Sequence, residues 1–152
     1  MSRTEKLVAS ASVVSSLAAA IALMWNVYVF QETSAKNEEV LNAAIERQNE
    51  TAAVELYQEY LSLAFLYPDF AFEEIAILDL PEQEGKKYLI FAASALTISE
   101  RIYELTNAEN GMDTVIKSIV RNHIYFINQD CEEIGKPFLR HLRKSFPEVK
   151  CT

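Results

Sequence analysis

Residues 7–30, "LVASASVVSSLAAAIALMWNVYVF", contain no Asp, Glu, Lys or Arg, and this run narrows the possible folds more than any other feature of the chain. As a helix rising ~1.5 Å per residue it measures ~36 Å, enough to cross a hydrocarbon core of ~30 Å with some tilt. Arg3 and Lys6 precede it, Gln31-Glu32-Thr33 follow, and Trp25, Tyr28 and Phe30 crowd one end. Amphipathic rings favour that position, at the boundary of lipid and water. The competing reading is a cleavable signal peptide, since Ala18-Ala19-Ala20 and Ala20-Ile21-Ala22 are small-residue triplets suited to a peptidase. Cleavage there would leave "LMWNVYVF" as an apolar new terminus, and the run exceeds the roughly 7–15 residues of a signal core. A buried soluble helix would need protein on every side. A retained signal-anchor spanning 7–30, with 1–6 as a short flank, fits best.

Within the run, Ser12, Ser16 and Ala20 step by four, as do Ala11, Ser15 and Ala19. A ridge of small residues lets two helix backbones approach closely, so this face suits packing against a second transmembrane helix or a second copy. Arg3, Lys6 and the free amine lie before the run, against Lys36 alone soon after it. The positive-inside rule then puts the amino terminus in the cytoplasm and the domain outside.

Beyond the anchor the composition points to an all-α fold. The chain has only three Gly and four Pro, too few turn residues for many short strands, while eight Phe and seven Tyr supply a core. From Thr33 to Leu66 there is no Pro or Gly. That stretch reads as a helical stalk over 31–56, rising from the anchor with a thin stripe of Leu41, Ile45, Ala52 and Leu56, and a bundle of about four helices over 57–152. Pro68 in "LYPDF" should end the first helix, because the residue before Pro is pushed out of helical geometry. The linker "DFAFEEIAILDL" has room for a short helix. Pro81 is expected at the first position of the next helix, which runs to about Thr106 with Tyr88, Phe91, Ala92, Ala95, Ile98, Ile102 and Leu105 on one stripe. Because "YLIFAASAL" is apolar nearly all round, this helix should be central. Asn110-Gly111 marks a turn, Asp113 is placed to cap a helix reaching about Asp130, and Pro137 opens a last helix that closes before Pro147.

Charge is unevenly laid out. Residues 31–135 carry seven basic against twenty acidic residues, a net of −13, while 136–152 carry five against one, a net of +4. An acidic body argues against nucleic acid as a partner. The basic tail reads first as a charged helix face pairing with that body, and second as a membrane-surface contact. Cys131 and Cys151 lie twenty residues apart without a CxxC pair, which excludes a zinc knuckle. They suit one disulfide if the domain faces an oxidising space and free thiols if it does not. His123, Asp130, Glu133 and His141 are the only grouping with metal-ligand character. Generic spacing makes His123 more simply a core histidine and the acids a solvated helix end. Asn49-Glu50-Thr51 is a glycosylation sequon of the kind chance supplies often. No nucleophile elbow, phosphate loop or shared carboxylate pair is present, so neither an enzyme nor a cofactor is expected. Tyr57, Tyr60, Phe65, Tyr67, Phe70 and Phe72 are enough rings to line an apolar pocket, and are more simply core.

In "LYQEYLSLAFLYPDF", "ERIYEL" and the closing "FLRHLRKSFPEV", behind its anchor, the chain resembles short bacterial proteins of unknown function that place one transmembrane helix before a small helical domain. It departs from them in "VIKSIVRNHIYFI", where a Trp is often found. The resemblance implies the architecture and no activity. The expected role is that of a single-pass interaction or accessory subunit, touching membrane lipid and another membrane protein or a second copy. The alternative is a membrane-tethered ligand-binding or sensory module with an aromatic-lined pocket.

Overall fold

The computed structural model describes residues 3–73, 75, 80–129 and 131–150, with side chains from residue 22 onward. Among them the fold is all-helical, with no strand: α1 (Arg3–Leu66), α2 (Pro68–Phe72), α3 (Glu82–Thr106), α4 (Met112–Val120), α5 (Ile124–Gln129) and α6 (Lys136–Ser145). Short 3₁₀ turns at Arg121–His123 and Cys131–Glu133 flank α5. Two compact units divide the chain, residues 1–45 and 46–152.

The first unit is α1 alone. Leu23, Met24, Trp25, Tyr28 and Phe30 are exposed along it, and Lys36 pairs with Glu32 one turn back. Leu41 and Ile45, expected as part of an apolar stripe, are exposed too. Among the described residues no helix is long and apolar enough to cross a membrane. Most of the 7–30 run, including Ser12, Ser16 and Ala20, lies outside the residues whose side chains are described.

The second unit owes its core to helical spacing. Ala53, Tyr60 and Ala64 of α1 are buried, so α1 enters the core from within the stretch expected as stalk. Pro68 does break it: Tyr67 leaves the helical region at φ −133°, and α2 begins on the proline itself. α3 is the central element, packing against α2, α4 and α6. Tyr88, Phe91, Ala92, Ala95, Ile98 and Ile102 form its buried stripe, and Leu105 is half-buried. Pro81 caps α3 from outside at ψ 146°, one residue earlier than the sequence suggests. Two buried hydroxyls on α3 cost little, because Ser99 and Thr106 each donate to the carbonyl one turn back.

As expected α3 is central, although Leu89 and Ile90 of "YLIFAASAL" face outward. Two expectations need correction. Asp113 caps nothing. Gly111, in the left-handed region at φ +84°, stands at the start of α4, and Asp113 sits in the first turn, where it accepts from Lys117. The expected single helix from 113 to 130 is broken at Arg121–His123, where the chain tightens into a 3₁₀ turn. That turn lets Asn122 donate to the Ala71 carbonyl of α2 at 2.9 Å while His123 enters the core.

Candidate functional site

His123 is almost fully buried, with its ring 5.5 Å from Phe91 and 5.9 Å from Tyr88 between centroids. The Tyr88 hydroxyl lies 3.3 Å from Nδ1, while Nε2 has no hydrogen-bond partner. Burial lowers its pKa to about 4, so the imidazole is neutral at pH 7. The other residues proposed with it go elsewhere. His141 stacks on Tyr103 at 5.0 Å and brings Nε2 to 3.2 Å from Asp113 Oδ1, near enough for an ion pair when protonated but off the hydrogen-bonding direction. Glu133 lines a small cleft of about 110 Å³ with Glu100. Asp130 lies outside the described residues. Among the described residues no three His, Cys, Asp or Glu side chains come together as metal ligands. Cys131 is disulfide-bonded, and Cys151, the other cysteine of the chain, lies outside the described residues.

The aromatic run divides in two. Tyr60 and Phe70 join Tyr88 and Phe91 in a packed cluster, with Phe70 at 5.7 Å from Tyr88 and 5.9 Å from Phe91 in edge-on contact. Burial, and secondarily the neighbouring Tyr57, raises the Tyr60 hydroxyl above its usual pKa. These rings fill the space between helices against one another. The cleft beside them, at Tyr67, Phe70 and Glu84, measures about 130 Å³. A larger cleft of about 680 Å³ lies away from the rings, between Arg121, Tyr125, Asn128 and the Phe146–Glu148 segment.

The other half of the run is surface. Phe65 is 85% exposed, Ile90 71%, Leu66 69% and Phe72 68%, with Leu61, Tyr67 and Leu89 less so. Of the exposed large apolar side chains among the described residues of 46–152, only Val54 and Tyr125 fall outside 61–90. They lie on the last turns of α1, on and beside α2, and on the first turns of α3, elements joined by the contacts of Tyr67 and Phe70 with Phe91. A signal for this is present in the sequence. "LAFLY" places five apolar residues in a row on a helix, and a helix turning ~100° per residue buries only about half of such a run.

Among the described residues the Lys and Arg of the basic tail make no ion pair with the acidic body. α6 buries Phe138 and Leu142, and Lys136, Arg140, Arg143 and Lys144 stand exposed on it. None of them makes an ion pair among the described residues, where the ion pairs belong to Lys36, Lys86, Lys87, Arg101, Lys117 and His141. Comparison of the chain with protein-family models, with curated proteins and with solved structures gives no match.

Proposed function

We propose that this chain is a single-pass membrane-anchored helical protein whose bundle docks onto another membrane protein, acting as an interaction or accessory subunit without catalysis. The observation that carries the docking role is the concentration of exposed apolar side chains over 61–90. Exposed Leu or Phe side chains are ordinary when scattered. Concentrated on three consecutive elements of a small domain, they are the surface we assign to a partner. Support for the anchor comes from the uncharged run 7–30, its basic flank, and the exposed Trp25, Tyr28 and Phe30 at its far end. Membrane lipid is then the second partner, with the amino terminus in the cytoplasm and the bundle outside. A ligand-binding role has less support, since the buried rings pack on each other and leave only a small cleft beside them.

The anchor is tested by an epitope tag after Thr152, read in intact and then permeabilised cells after membrane fractionation. Membrane-bound protein with a tag exposed in intact cells supports the proposal. Recovery in the soluble fraction overturns the anchor, and exposure only after permeabilisation overturns the orientation.

A further inference from the structure

On α6, Lys136, Arg140 and Lys144 repeat every four residues, with Arg143 beside them, and all are exposed and make no ion pair among the described residues. Glu148 is the only acid in residues 136–152. The apolar side of the helix is already used, since Phe138 and Leu142 are in the core. What remains is a row of cations on a rigid helix, spaced ~6 Å apart along its axis.

A surface of matching chemistry exists on the same domain. Between α1 and α3 lies a cleft of about 440 Å³ lined by the apolar Ala52, Leu56 and Leu105 and by three acids, Glu55, Glu59 and Glu104, against one cation, Arg101. Glu55 and Glu59 make no ion pair among the described residues, and the only cation near Glu104 is Arg101 at 3.9 Å. Like charges four residues apart on a helix repel, and no ion pair among the described residues offsets this in the row of Glu55 and Glu59. Its pitch equals that of the α6 cations. Lys and Arg stems would lie across the apolar side chains while their charged ends reach the acids.

We propose that the basic face of α6 in one copy docks into the acid-lined groove between α1 and α3 of a second copy. The occupant is a second copy because both halves of the complementary pair are present on this chain and the cations make no ion pair among the described residues. The contact uses neither the exposed apolar surface over 61–90 nor the anchor. It therefore stands or falls separately from the docking role proposed above.

Charge exchange tests it on the full chain in detergent micelles, by sedimentation of differently labelled proteins. The basic-face variant is Arg140→Glu/Arg143→Glu and the groove variant is Glu55→Lys/Glu59→Lys. All four positions are exposed, and unchanged helical circular dichroism and melting verify the fold. Each variant alone should lose self-association, raising the dissociation constant by about tenfold. Their equimolar mixture should restore it, because the native contact and its charge-reversed copy then form together. Raising salt from about 50 mM to about 500 mM should weaken the wild-type contact and the restored one alike. Variants that associate as wild type does, or a mixture that fails to restore association, overturn the proposal. So does a basic-face variant that loses binding to vesicles of anionic phospholipid while its self-association is unchanged, which would assign the face to lipid.

Discussion

At His123 a single side chain sets how the domain responds to acid. Its pKa is near 6.5 in an unfolded chain and about 4 in the fold, where burial disfavours the charged ring. Between those values the unfolded state binds more protons, so stability is fully present above about pH 6.5 and falls as the pH drops toward 4. The whole window is worth about 3 kcal/mol. Urea unfolding at pH 7 and pH 4.5 should show most of that loss in the wild type and much less in His123→Leu. A second pair of positions separates core from surface. Phe138 is 1% exposed and packs on Tyr103 at 5.4 Å, so Phe138→Ala should cost about 3–5 kcal/mol. Ile90→Ser, on an exposed position, should change stability by less than about 0.5 kcal/mol while affecting docking. Equal losses at both sites in chemical denaturation would mean that Ile90 is core.

At the scale of elements, the turn between α3 and α4 holds consecutive strained residues. Asn107, Ala108, Asn110 and Gly111 all have positive φ, and Ala108 at φ +62° is the one without a polar side chain or a glycine's freedom. Ala108→Gly should relieve the clash of its Cβ with the backbone and raise stability by about 0.5–1 kcal/mol, with a higher thermal midpoint, whereas an unchanged or lower midpoint would contradict the strain. Local signals made other boundaries legible. Pro68 begins α2, Pro137 sits in the first turn of α6 one residue after its start at Lys136, and the three- and four-residue spacing from Tyr88 to Ile102 gives the buried face of α3. What could not be read was long-range. The segment "VIKSIVRNHIYFI" contains no Gly or Pro and keeps helical spacing, so nothing local shows the 3₁₀ turn at Arg121–His123. That turn goes with a hydrogen bond to Ala71, fifty-one residues away. Likewise, the sequence marks Asp113 as a cap, but Gly111 takes the left-handed position first and leaves Asp113 to Lys117 and His141.

At the scale of the molecule, the candidate site was less legible than the fold. Polar and titratable residues drew attention to His123, Asp130, Glu133 and His141, yet His123 belongs to a core of rings and His141 to Asp113 and Tyr103. The exposed apolar surface and the basic α6 face are defined by contacts absent among the described residues, which only the tertiary arrangement reveals. Composition indicated an acidic body and a basic tail, but gave no means of knowing that the α6 cations make no ion pair with that body among the described residues. The central claim is that the apolar surface around Phe65 and Ile90 is covered by another protein. The most direct measurement places a photo-crosslinking residue at 65, at 90 and, as a control, at exposed position 132, in the full chain within its native membranes. One adduct of defined mass is expected from positions 65 and 90 and none from 132. The same pattern from all three positions, or no protein adduct from 65 and 90, would contradict the claim.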